Sequence, residues 1–226
     1  MSLDLFLPAF ITIKNGFVLT LIITLASFLV GQVLALPVAL ALSSPSRCLR
    51  LPASAYTFVI RGSPLLVQLF IVYYGLGQLE AVRESVLWPI LRSPVYCAVL
   101  TIALNSAAYS AEVLAGAIRQ VPKGQWKAGK ALGLAKYVLL IKVVLPQIYR
   151  AVLPSIGNEL ILVMKGSTLA SAVTVMEMTG AARVFVAKTY APFETFLIAG
   201  AIYLLIGAAF GPVFKGLETR FAIPGR

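Results

Sequence analysis

Long apolar blocks alternate with short polar ones along this chain, and the apolar blocks share one length class. Phe17–Leu42, Tyr56–Leu76, Pro94–Ile118, Leu153–Val173 and Phe196–Phe214 are each close to or above the length needed to cross a bilayer. A helix spans the hydrocarbon core with about 20 residues. The pattern predicts an all-α membrane protein with five transmembrane helices, over residues 17–42, 56–76, 94–118, 153–173 and 196–214, in a single domain 1–226. Pro45 and Pro52 punctuate the first polar interval. No repeat of 20–50 residues and no low-complexity tract is present. Ala39 and Ala41 form the A-x-A pattern of a signal-peptide cleavage site. The apolar run before them is too long, its amino-terminal flank lacks net positive charge, and Arg47 and Arg50 lie just beyond it.

Composition agrees with the pattern. Of 226 residues, 60% are hydrophobic and 12% charged, where a soluble domain carries about 25% charged residues. Mean hydropathy is +0.93. Five spans and their loops leave no room for a separate soluble domain. The net charge of +11 does not indicate nucleic acid, because the bases sit in the intervals between spans. Arg47 and Arg50 give the first interior interval +2. Residues 119–150 carry Arg119, Lys123, Lys127, Lys130, Lys136, Lys142 and Arg150 with no acid, and the carboxy-terminal tail is +2. The remaining intervals are neutral. By the positive-inside rule this places the amino terminus outside and the carboxy terminus in the cytoplasm. Histidine is absent, which excludes Ser-His-Asp and Cys-His catalysis. Cys48 and Cys97 fall on opposite sides of the bilayer in this topology, with Cys97 near the outer face, so no disulfide is expected.

The basic interval 119–150 contains the stretch Val121–Pro146. Gln125–Leu134 is expected to be helical. Ala128 and Gly129 would let its backbone lie close in a cleft, Gly133 would supply a left-handed cap, and Pro146 would end the following segment. Gly124-x-x-x-x-Gly129-Lys130 matches most of a phosphate-binding loop. Ala131 replaces the hydroxyl residue that holds magnesium, and no buried strand precedes it. A basic loop also serves simply as a topogenic signal. The spacing Ala128-Gly129, Gly133, Val143, Leu145-Pro146 resembles the "EAA" coupling motif of bacterial ATP-binding-cassette importer permeases. That motif reads Glu-Ala-Ala, three residues, Gly, nine residues, Ile, one residue, Leu-Pro. Lys127 stands where the family usually has Glu.

Other segments match the same family in order. Arg61-Gly62-Ser63-Pro64-Leu65-Leu66-Val67-Gln68 resembles the RGTPLxVQ segment of polar amino acid permeases. Asn105–Glu112 with Ala115–Arg119 resembles their AYxxE…GAI segment, and Gly157-Asn158-Glu159 with Lys165–Leu169 their GNE…KxTSL segment. The stretch Gln78–Arg92 and Thr189–Phe193 look most like the M-type permease of histidine/lysine/arginine/ornithine and octopine importers. The resemblance implies a type I importer permease fold in the bacterial inner membrane, moving polar, basic amino acids or opines. It implies an ATP-binding-cassette ATPase dimer, a paralogous Q-type permease subunit and a periplasmic binding protein as partners. ATP and magnesium would be held by the ATPase, with no cofactor and no catalysis in this chain. Coupling to the ATPase would fall to Gln125, Lys127, Ala128, Gly129, Ala131, Leu132, Gly133, Leu134 and Pro146.

Glu112 and Glu159 are the acids within the expected spans and Lys165 the lysine there. Charge in a bilayer is costly and faces a cavity or a partner. One reading places Glu112, Asn158, Glu159, Lys165, Ser167 and Thr168 along a substrate path. The structural reading pairs Glu159 with Lys165, within or between subunits, and puts Glu112 near Arg119. It makes Arg61 a snorkelling anchor and Pro64 a helix start or kink, and uses Asn158, Ser167 and Thr168 to join helices. Gly207 and Gly211 form a GxxxG pair for helix packing. A secondary transporter coupled to ions is the rival function, opposed by the lack of inverted repeats and by the basic loop. A membrane enzyme is opposed by the absence of a metal cluster or a usefully spaced acid pair.

Overall fold

The computed structural model describes residues 5–221, which are mostly helical and form no strand. Helix α1 (Phe6–Lys14) turns at Asn15-Gly16 into α2 (Phe17–Leu42). Next come α3 (Arg47–Gly62) and α4 (Leu65–Phe70), then the short α5 (Glu80–Arg83) and α6 (Trp88–Leu91). The central α7 (Pro94–Gln120) leads to α8 (Lys123–Ala131), α9 (Lys136–Leu139) and α10 (Leu145–Ser167). The chain ends in α11 (Met178–Thr189) and α12 (Pro192–Phe221). Four helical runs are long and apolar enough to cross a membrane, and a fifth is counted when α3 and α4 are taken together.

The core is built from small residues. Helix α2 buries Thr20, Thr24, Ser27, Gly31, Ala35 and Ala39, and packs along α7, which buries Ala103, Ser106, Ala107, Ser110 and Ala111. A Cβ on Gly31 would lie 3.1 Å from the Ala103 carbonyl. The opposite face of α2 exposes Val18, Ile22, Leu25, Leu29 and Val33. Large residues outward and small residues between helices suit packing in lipid, where burial of apolar bulk gains little and close backbone approach gains more. Gly157 likewise admits the Phe214 ring from α12, and Gly207 faces Met164. Gly211 has no neighbour within 4 Å, so the chain uses one member of that glycine pair.

Four expectations are corrected. The second span is not one helix from 56 to 76. Helix begins at Arg47, inside the expected loop, and breaks at Ser63-Pro64, where α3 and the segment Leu65–Gln78 meet at 105°. Pro64 has no N–H to donate to the Ile60 carbonyl, and it holds Ser63 extended. The expected span 153–173 belongs to a longer run, Lys136–Val173. Pro146 starts α10 instead of ending a segment. It has no N–H for the Lys142 carbonyl, and a five-residue π turn, Leu140–Val144, lies immediately before it. The expected loop 174–195 contains α11, capped by Glu177, whose carboxylate accepts from the Thr179 and Gly180 N–H groups.

Glu177 is fully buried. Tyr203 of α12 donates to it at 2.6 Å, and the Met178 N–H beside it donates to Thr20 of α2 at 3.1 Å. Burial pushes its carboxyl up, while the hydrogen bonds from Tyr203, Thr179 and Gly180 pull the other way. Gly16 permits the contact, since a Cβ there would lie 2.5 Å from the Glu177 backbone. This knot ties α1, α2, α11 and α12 at one end of the bundle.

Candidate functional site

Helix α7 and helix α10 face one another across a cleft of about 250 Å³. Leu65 of α4 and Gly166 of α10 border it, and its polar wall is Asn105, Ser106, Tyr109 and Glu159. Glu159 is partly exposed, touches a smaller pocket on its other side beside Ser110 and Ser155, and has no cation within 4.0 Å among the described residues. Lys165 does not pair with it within the chain. Six residues correspond to about 600° around a helix, so the two side chains leave different faces, and Lys165 is exposed.

The break between α3 and α4 is joined to this cleft. The Gln68 amide donates to the Ile60 carbonyl at 2.7 Å and to the Ser63 carbonyl at 3.0 Å, and so serves the groups that Pro64 leaves without a donor. Its oxygen accepts from Asn105 of α7 at 3.2 Å. Arg61, at the end of α3, forms an ion pair with Glu112 at 3.5 Å and lies 5.4 Å from the centre of the Tyr109 ring. Thr57 donates to the same Glu112 oxygen at 2.8 Å. Glu112 therefore meets Arg61 and not Arg119, and Arg61 is a pairing residue. Such a site, with a cation on an aromatic face and a carboxylate, holds charge where lipid cannot.

The expected path residues divide. Glu159 lines the cleft with Tyr109, while Glu112 is held by Arg61 and Thr57. Asn158 is exposed beyond the cleft. Ser167 is fully buried, donates to the Met164 carbonyl and accepts from Thr24 of α2, so it joins helices. Thr168 closes on its own helix at the Lys165 carbonyl. Sequence reasoning passed over Gln68, Asn105 and Tyr109 as site residues. The first lies in the Arg61–Gln68 motif and the others in the Asn105–Glu112 motif, but their partners are 37 or more residues distant.

Helix α8 forms as expected, with its start at Lys123. Gly133 adopts φ +71°, and the Leu134 and Gly133 N–H groups return to the carbonyls of Gly129 and Lys130 at 3.0 Å each. These are the two bonds of a Schellman cap. Lys127, Ala128, Ala131, Leu132 and Gly133 are exposed, as is Leu134. Gly129 faces the other way: a Cβ there would lie 2.7 Å from the Leu139 side chain of α9. Gln125 also turns inward, donating to Gln147 of α10 at 3.1 Å. Gly129 and Gln125 thus hold α8 to the chain, while Pro146 starts α10.

Residues 31–222 match the family described as binding-protein-dependent transport system inner membrane component. The chain is 44% identical to the octopine transport system permease protein OccM of Rhizobium meliloti over 209 residues, 92% of this chain and 85% of that one. It is 38% identical to the arginine ABC transporter permease protein ArtM of Haemophilus influenzae, covering 92% and 91%. It is 36% identical to the histidine/lysine/arginine/ornithine transport system permease protein HisM of Salmonella typhimurium, covering 92% and 88%. In three dimensions it resembles a chain of an amino acid ABC transporter crystallised with histidines, with TM-score 0.80, 32% identity and 97% of each chain covered. The methionine transporter MetNI in an inward-facing conformation shares the fold, with TM-score 0.78 at 17% identity over 99% and 100% of the two chains. The broken second span, the capped α8 and the match over most of the length lead to one conclusion: this chain belongs to the binding-protein-dependent inner membrane components, as a permease subunit of an ABC importer.

Proposed function

We propose that the chain carries basic amino acids or opines across the bacterial inner membrane, with the α7–α10 cleft as its substrate path. The observation that supports this is Glu159, a carboxylate in a polar cleft with no cation against it. A guanidinium or ammonium would complete the site through charge-assisted hydrogen bonds, with Asn105, Ser106 and Tyr109 as neutral partners. The buried Ser106 hydroxyl stands beside the Glu159 carboxylate in the cleft wall. The cationic ligands named for three relatives fit this chemistry. Glu112 is already neutralised by Arg61, so the substrate role falls to Glu159. Lys165, Asn158 and Thr168 lie outside the cleft and are assigned to contact with a paralogous second permease.

Uptake driven by the assembled transporter tests this. Glu159→Gln keeps shape and removes charge. It is expected to slow arginine uptake about ten-fold, the loss of one charge-assisted contact of roughly 1.5 kcal/mol. Complex assembly and binding-protein affinity should be unchanged. Normal arginine uptake by this variant would remove the substrate role.

The partners follow from the same reading. A separate ATPase dimer binds ATP and magnesium and docks on the exposed face of α8. A periplasmic binding protein delivers the ligand at the opposite end. The amino terminus is outside. Cys48, exposed in the first turn of α3, is then cytoplasmic. Cys97 is fully buried and donates to the Leu91 carbonyl, so outside labelling of it is no longer expected. An impermeant maleimide should label Cys48 in inverted vesicles and leave it untouched in intact cells. Labelling in intact cells would reverse the orientation.

A further inference from the structure

A second sizeable cleft is remote from Glu159. It is a mostly apolar groove of about 550 Å³ between the carboxy-terminal end of α2, the start of α3 and the helices α8 and α9. Leu40, Ile118 and Leu140 form its apolar walls, Trp126 contributes from α8, and Lys136 stands in the lining. The first turn of α3 borders it through Leu49 and has no side-chain cap. Arg47 and Arg50 lie in that same turn, and no acid occurs in residues 43–55 or 119–150. The Ser43 hydroxyl in the groove wall has no partner among the described residues.

These features share one complement. The groove takes an apolar chain, and the uncapped helix start, Lys136 and the paired arginines take an anion. The aromatic–cationic pair Trp126 and Lys136 is the combination found where a membrane protein meets the headgroup level. A soluble anion would leave the apolar walls empty, and an acidic peptide would leave them wet. We propose that this groove binds an anionic glycerophospholipid, one acyl chain lying between Leu40, Ile118 and Leu140 and the phosphate at Lys136 and the α3 start. Because Trp126 belongs to α8, the bound lipid would brace the coupling helix. The site does not depend on which substrate the chain carries.

Trp88 and Trp126 are the two tryptophans of the chain, so Trp88→Phe leaves Trp126 as its sole reporter. The full chain carrying this change is placed in phosphatidylcholine nanodiscs. Chain-brominated phosphatidylglycerol or chain-brominated phosphatidylcholine is then added in increasing mole fraction. The expected result is quenching of Trp126 at several-fold lower mole fractions of the anionic lipid. Lys136→Gln should shift the anionic curve about five-fold toward the neutral one, as the loss of one lysine charge beside a headgroup requires. Ala41→Phe, which fills the groove wall, should remove the preference with the fold intact by circular dichroism. Equal quenching by the two lipids, or an unmoved curve in Lys136→Gln, would overturn the proposal. So would loss of the preference when the ATPase and second permease are bound, since the groove would then be a protein interface.

Discussion

Gly133→Trp is expected to abolish ATP-driven uptake while the membrane bundle remains folded. Gly133 is the one described glycine with positive φ. A residue with a Cβ there costs about 1–2 kcal/mol in the left-handed region, enough to loosen the end of α8 without unfolding helices that pack elsewhere. No atom of the chain lies within 4 Å of a Cβ at this position. An indole would therefore project outward, on the face assigned to the ATPase, and overpack that contact. Gly133→Ala separates the two effects, since it carries the backbone cost with little bulk and should retain much of the transport. The measurements are uptake in vesicles and recovery of the ATPase with the purified permease. Wild-type uptake by the tryptophan variant would show that this end of α8 does not meet the ATPase.

The second large effect is expected at Gln68. This side chain is 8% exposed, and it satisfies the carbonyls of Ile60 and Ser63 at the helix break while accepting from Asn105. Gln68→Leu has similar volume and no donor. Each stranded carbonyl costs about 1–3 kcal/mol, and water is scarce in the hydrocarbon region to replace the lost partner. The expected result is a loss of about 2–4 kcal/mol in stability of the reconstituted chain, with α4 detached from α7. Gln68→Glu should fail in the same way, because an ionised carboxylate only accepts. The test is denaturant unfolding of the purified chain in mixed micelles. Unchanged stability of both variants would mean that Pro64 alone shapes the bend.

Features set by local chemistry were readable along the chain. Spans longer than the bilayer declared themselves by length. Gly133 announced its cap because few other residues tolerate that backbone. Pro64 was visible as a start or kink. What local pattern could not carry was the angle of the bend, since that depends on which donor reaches the freed Ile60 carbonyl. The pairing of Arg61 with Glu112 was hidden for a related reason: 51 positions separate them, and only the packing of α3 against α7 brings them together. Glu177 looked like a loop acid because its neighbours are mixed in polarity. Its burial is decided by Tyr203 and Thr20, which arrive from opposite ends of the chain. Glu159 and Lys165 lie near each other in sequence but about 600° apart around the helix, so within one chain they face different ways.

The run Lys136–Val173 is continuous over 38 residues. At about 1.5 Å per residue it is roughly 57 Å long, nearly twice the hydrocarbon thickness of about 30 Å. It is therefore longer than one crossing of the hydrocarbon needs, and the excess length makes it an arm. Leu139, near the base of that arm, is where Gly129 bears on it, and Glu159 lies some 20 residues, or about 30 Å, further along. Were the run to tilt as one body about a pivot between them, the carboxylate would swing opposite to the base, and a push at α8 would reach the cleft as a lateral displacement. Such a mechanism needs no unwinding of the shaft. It predicts that stiffness of the arm, more than its surface chemistry, sets how faithfully the stroke arrives.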